Sequence, residues 1–298
     1  MTGIKEEYQL SGGMGKSLPA VFIGGSITAV ILGYIYGYLC VYNPLAGFIS
    51  FFLVLGYGLA LGAVIFAFGH ESNCRNPKFM GFMGVSLGCF SLYSSWVVFL
   101  YALLKRYSED VDDLSLLSMF VDPTMVWGMV LNVNETGWFS LRGYTPTGGV
   151  LWTFWALEAL MIVGIAFFTA RSEDDVFCEQ CYRWSETLDP VSFLAPTNPE
   201  GQPKLDLHDL SDLNGMDRAE GGEPHTIRIK TCRCSECGLT ATYQLFHDAI
   251  TVDDKGKTEK TEKNLTPKYI IHQEDLEKLK AVLRPKPKSS GNEQSALS

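Results

Sequence analysis

From Ser17 to His70 the chain carries no Asp, Glu, Lys or Arg. A helix crosses the hydrocarbon core of a bilayer in about 20 residues, so so long an apolar run predicts two crossings. The break falls at Tyr42-Asn43-Pro44, since proline lacks an amide donor and Asn-Pro favours a turn. Spans are therefore expected at about 20–41 and 45–69, joined as a tight helical hairpin. A third charge-free run, Phe79 to Leu104, predicts a span at 79–104, and Gly148 to Ala170, interrupted only by Glu158, predicts a fourth at 148–170. A cleaved signal peptide would be shorter and basic-led, so no cleavage is expected of a first run that joins directly to another span. Residues 1–18 read as a lead-in to a transmembrane domain over 19–171.

Small residues recur at four-residue spacing within the spans: Gly33 and Gly37, Gly58 and Gly62, Gly84 and Gly88. Such pairs let helix backbones approach closely in lipid. Mutual packing of the four helices is the main expectation, and a homo-oligomer held through these faces is the alternative. The 43 residues between spans three and four are too many for a simple connector. They open acidic and turn apolar from Leu114 to Leu131, with a break at Asp122-Pro123 and a tryptophan at 127. This suits an interfacial segment over 111–135 in contact with membrane lipid, and a fifth span is the competing reading.

From Arg171 onward the pattern changes. This tail holds 17 of the 24 basic and 23 of the 33 acidic side chains, a net −6 within a chain total of −9. Phosphate recognition needs a concentrated positive face, so nucleic acid is excluded as a partner. His225 to Lys230 and Ala241 to Val252 read as strands flanking a turn, 188–224 as a Pro-, Gly- and Asp-rich loop insertion, and Glu274 to Leu283 as a helix. The tail domain is placed at 172–284, with a disordered end at 285–298.

Orientation follows from Lys and Arg near the span ends, which resist translocation. With four spans the termini share one side with Arg75 and Lys78. That side collects Lys5, Lys16, Arg75, Lys78, Arg171 and Arg183, against Lys105, Arg106 and Arg142 opposite. Both termini are therefore expected in the cytoplasm.

The clearest chemical signal is cysteine spacing. Cys178-Glu-Gln-Cys181 and Cys234-Ser-Glu-Cys237-Gly238 are two CxxC pairs, and two intervening residues let both sulfurs of a knuckle face one tetrahedral ion. The second pair lies between the two expected strands and is followed by a glycine suited to a turn with amides facing sulfur. This pattern resembles a zinc ribbon. The resemblance covers the two knuckles and the hairpin, with 52 residues between the pairs attributed to an insertion. It implies structural zinc held by Cys178, Cys181, Cys234 and Cys237, with Cys232 an alternative to Cys234. Four thiolates would leave no open position for catalysis. The rival chemistry is thiol redox, in which a CxxC of lowered pKa attacks a disulfide and Cys40, Cys74 and Cys89 add thiols. A cytoplasmic, reducing location disfavours it.

Glu158 is the second feature. A carboxylate at mid-helix is costly in a bilayer, so it is expected to face the bundle. Trp152, Trp155 and Glu158 recur at three-residue intervals on about one face. Ion or proton handling is one reading, and a protonated Glu bonded to a Ser or Thr of a neighbouring helix is the other.

Three patterns fail on their required positions. Ser11 to Ser17 lacks the first glycine of a phosphate loop, which falls on Leu10, and reads as a flexible lead-in. Around Asp212-Leu-Asn214 a calcium loop would have Leu210 and Gly221 at ligand positions, and His208 between acids reads as a solvated face. Asn134-Glu-Thr136 and Asn264-Leu-Thr266 match a glycosylation pattern short enough to recur by chance.

The fold expected is thus a mostly α membrane protein: a four-helix transmembrane bundle with a small C-terminal zinc-ribbon-like β domain. The function expected is that of a multi-pass anchor presenting this domain to a protein partner at the cytoplasmic face, near the membrane because Cys178 comes seven residues after Arg171. The alternatives are an ion- or proton-coupled transporter using Glu158 and a membrane thiol-disulfide oxidoreductase. No motif marks a catalytic residue, and the chain reads as a binding protein more than as an enzyme.

Overall fold

The computed structural model describes residues 6–42, 48–107, 114–140, 143–171, 175–198, 213, 216–252, 257–272, 275 and 279. The chain divides into two compact units: Leu10–Asp174, and Met1–Gln9 together with Asp175–Ser298.

The first unit is helical. Its elements are α1 (Ser17–Tyr42), α2 (Phe48–Glu71), α3 (Pro77–Tyr107), α4 (Leu116–Phe120), α5 (Pro123–Thr136) and α6 (Gly148–Ala170). Among the described residues four helices are long and apolar enough to cross a membrane, over Leu18–Tyr42, Ser50–Glu71, Pro77–Tyr107 and Gly148–Ala170. The break expected at Asn43-Pro44 lies outside the described residues.

Close backbone approach organises the bundle. A Cβ on Gly33 would stand 2.8 Å from the Ser91 carbonyl oxygen, and one on Gly37 would stand 2.7 Å from that of Ser95, so α1 lies directly on the parallel α3. Gly58 and Gly62 bring α2 nearly as close to the carbonyl oxygens of Ile162 and Ala166 on α6, at 3.1 and 3.0 Å from an added Cβ, and Gly84 approaches Ala166 from α3. The four-residue glycine pairs thus engage neighbours within this chain and let the helix backbones pack closely. Ser91 is matched between helices: its Oγ donates to the Ala29 carbonyl at 2.8 Å and lies 2.6 Å from the Tyr57 hydroxyl.

The connector after α3 forms two short helices instead of one long one. Ser115 caps α4 by accepting from Ser118 N, and Asp122 caps α5 by accepting from Met125 N at 3.0 Å, with Pro123 at the first helical turn. A proline there has no amide to waste and stops continuation from α4. At about 1.5 Å per residue, the 14 residues of α5 fall short of a bilayer core of about 30 Å. Its buried face is Val126, Val130 and Val133, with Asn134 donating to the Gly148 carbonyl at 2.9 Å.

The second unit is an antiparallel sheet with strands β1 (Phe177–Cys178), β2 (Arg183–Trp184), β3 (Glu186–Thr187), β4 (Val191–Leu194), β5 (His225–Arg233), β6 (Ala241–Val252), β7 (Thr258–Asn264) and β8 (Tyr269–Ile270). β1 and β2 form a small ribbon, and the six others form one sheet in the order β3-β5-β6-β7, with β4 also on β5 and β8 also on β6. The core is Phe193, Ile227, Ile229, Tyr243 and Leu245, residues of alternating strand positions, with Ile271. Part of the expected insertion is structural: Val191–Leu194 pairs with β5 because Phe193, 2% exposed, drops into this core. The start of the chain joins the same sheet, since Glu7 bridges Tyr269 and Tyr8 N donates to the Lys268 carbonyl at 2.7 Å. Most of the helix expected at 274–283, and all of 285–298, lie outside the described residues.

Candidate metal centre

Each CxxC pair occupies the turn of a β-hairpin. In the β1–β2 ribbon Cys178 faces Arg183 and the turn between them carries Cys181, with Tyr182 at a left-handed φ of 54°. In the β5–β6 hairpin the last pair is Arg233 with Ala241, and the turn runs Cys234 to Thr240. Gly238 there has φ +65°, a conformation glycine adopts without a Cβ penalty. Cys234 N donates to the Thr240 carbonyl at 2.9 Å and Gly238 N to the Cys234 carbonyl at 3.0 Å, which closes the knuckle.

The two turns meet. The sulfurs of Cys178, Cys181, Cys234 and Cys237 all lie within 4.8 Å of one another, with Cys178 and Cys234 buried and the other two half-buried. The Cys178 and Cys237 sulfurs are 3.6 Å apart. Tetrahedral thiolates about 2.3 Å from a metal stand about 3.8 Å from each other, so this donor set fits one such ion. Cys232 is outside the cluster. Its sulfur lies 3.5 Å from the hydroxyl of its cross-strand partner Thr187.

Local dipoles favour thiolate. Leu239 N donates to Cys237 Sγ at 3.4 Å and the Thr240 hydroxyl to Cys178 Sγ at 3.2 Å. The Leu239 amide, helped by Cys181 and the Thr240 amide, pulls the Cys237 thiol down to about 6. For Cys234, burial opposes ionisation, but the amides of Cys237 and Glu236 prevail and hold it below the ordinary thiol range. Cys181 moves the other way, pushed up to about 12 chiefly by its hydrogen bond to Cys237. Four crowded sulfurs cannot all be thiolates without a cation, and thiolates are the form that binds metal.

Two supports were not legible in the spacing. Arg183 and Glu236 form an exposed ion pair of 2.6 Å from one knuckle to the other. Phe177 packs edge-on against Trp184 and Tyr182 at 5.0 and 5.5 Å, while its amide donates to the Tyr8 hydroxyl at 2.8 Å.

In the helical unit, Glu158 accepts a hydrogen bond from the Tyr36 hydroxyl of α1, so its partner is a tyrosine and not the expected Ser or Thr. Tyr36 stacks on Tyr57 at 4.4 Å, and Trp155 packs on Trp96 and Trp152. All eight cysteines are free thiols, with Cys40 half-buried, Cys74 buried and Cys89 exposed. Asn134 is buried on the Gly148 carbonyl, which removes it as a glycosylation acceptor in the folded chain. His208, Asp212 and Asn214 lie outside the described residues.

The chain matches no protein-family profile, no curated protein and no solved structure. The geometry defines a candidate four-thiolate metal centre in the sheet unit of a chain whose other unit holds four helices of membrane length.

Proposed function

We infer that the chain is a multi-pass membrane protein whose four-helix unit anchors a zinc-stabilised domain that binds a protein partner at the cytoplasmic face. The observation that carries this reading is the meeting of four thiols from two hairpin turns, within 4.8 Å of one another although 52 residues separate the pairs. Zinc suits a closed set of four thiolates, where it stabilises without chemistry. The six-to-three distribution of basic residues supports placing the tail in the cytoplasm, where thiols stay reduced and able to bind metal. A protein partner is favoured by the large side chains that the knuckles present, Tyr182 at 47% and Leu239 at 49% exposure, beside a net negative tail that repels nucleic acid.

Metal analysis of the purified full chain tests the reading. One zinc per chain is expected, lost in Cys181→Ser and Cys237→Ser. Absence of bound metal from the parent protein would overturn it.

A further inference from the structure

The helical unit contains a cavity of about 420 Å³ between the N-terminal halves of α2 and α6, floored by α1 and the end of α3. Its origin lies in the packing. Gly58 and Gly62 pin α2 to Ile162 and Ala166 of α6, and the two parallel helices diverge beyond that contact toward their N-terminal ends. Rim residues Phe51, Phe154 and Leu157 are 48%, 49% and 52% exposed, so the cavity opens sideways between helices. Its size falls within the range of small-molecule sites, about 300 to 1,000 Å³, and its walls are mainly apolar.

The polar groups in it are few and incompletely matched. Glu158 lines the cavity, and Tyr36 is the one protein donor to its carboxylate among the described residues. Among the described residues no basic side chain lines the space. Trp138 lines it too, and its indole N–H is buried with no hydrogen-bond partner among the described residues. A smaller void of about 40 Å³ adjoins these same groups, with Tyr36, Cys40, Trp138 and Glu158 on its wall. A buried donor left unpaired and a carboxylate without a cation are both costly, and a ligand that satisfies them together gains what each alone forfeits.

We propose that this cavity binds a long-chain amphiphile whose polar end carries a protonated amine next to a hydroxyl. The ammonium pairs with the Glu158 carboxylate, the hydroxyl oxygen accepts from the Trp138 N–H after a turn of the indole that uncovers it, and the hydrocarbon chain leaves past Phe51 and Phe154 into lipid. The site is confined to the helical unit, so it does not depend on metal at the cysteine cluster. It rests on that unit being embedded in a membrane.

The test uses the full-length protein in lipid nanodiscs and a photoreactive, alkyne-bearing sphingosine as probe. Saturable labelling is expected, mapped by mass spectrometry to peptides containing 138–139 or 150–161. Competition by sphingosine should exceed that by the chain-matched alcohol, and the fatty acid should not compete. Glu158→Gln, which keeps an acceptor for Tyr36, should weaken the amino alcohol at least tenfold and leave the plain alcohol unchanged. Trp138→Phe should weaken the amino alcohol severalfold without touching the carboxylate, so the proposal stays testable if the Glu158 variant folds poorly. Non-saturable labelling, equal competition by alcohol and amino alcohol, or labelling confined to the α5 peptides of 123–136 would each overturn it.

Discussion

Chelation of the metal should disorder the first knuckle while sparing the centre of the sheet. The ribbon β1–β2 consists of two strands of two residues each, far too short to persist alone. Ordering the eight residues from Phe177 to Trp184 costs about 12 kcal/mol at about 1.5 per residue. Burial of Phe177, 2% exposed, offsets about 3 kcal/mol of this. The shortfall of about 9 kcal/mol is close to what a structural zinc site supplies, about 10 to 16 kcal/mol at neutral pH. By contrast, the β5–β6 pairing from His225 to Arg233 is held by Ile227, Ile229, Tyr243 and Leu245 without help from sulfur. Hydrogen exchange read by mass spectrometry, with and without a strong chelator, separates the two. Amides of 177–185 and 234–240 should exchange at least about 100-fold faster after chelation, and those of 226–231 and 243–247 should change little. Unchanged exchange in 177–185 after verified removal of the metal would refute the reasoning.

Other outcomes follow from single contacts. Cys232→Ser should retain the metal at full stoichiometry and Cys234→Ser should lose it, since only the latter belongs to the sulfur cluster; colorimetric zinc release on denaturation reads the difference. Gly33→Val should destabilise the bundle by about 1 to 3 kcal/mol because its side chain meets the Ser91 carbonyl, whereas Gly164→Ala, with nothing within 4 Å, should be neutral or better. Detergent-unfolding titrations compare them, and equal losses would refute the close-packed geometry. Asp248, 5% exposed, is held below the ordinary carboxylate range: burial opposes this, but Arg228 at 2.9 Å and Lys260 at 3.3 Å prevail. A depressed folded pKa means its stabilisation is complete above the ordinary value and vanishes as pH falls through the folded one. Sheet stability should therefore drop on acidification below about pH 4, and Asp248→Asn should flatten that part of the profile.

The helical unit was legible because its elements are defined locally. A charge-free run of membrane length specifies a helix without reference to anything else, since the backbone must satisfy its own hydrogen bonds in lipid. Asp122-Pro123 likewise announces a helix break, and Ser115 and Asp122 act as caps through contacts only three residues long. The CxxC spacing, too, declared two knuckles before any fold was known. What the sequence left open depended on partners distant along the chain. Cys232 and Cys234 are alike in sequence, and the hairpin register decided between them by pairing Cys232 with Thr187 and extending Cys234 into the turn. Val191–Leu194 looked like loop because four residues carry little pattern, and its strand exists because β5 offers an edge and Phe193 finds a core.

Glu158 shows the same division within one residue. Its unusual place in an apolar run was visible at once, as was its cost. That Tyr36 reaches it, that the nearby Trp138 N–H finds no acceptor among the described residues and that a cavity opens beside them were fixed only when glycine contacts set the helix crossings. Local chemistry dictates which segments are helices and which thiols are paired in knuckles. The meeting of groups more than a hundred residues apart is a property of packing, and only the folded chain contains it.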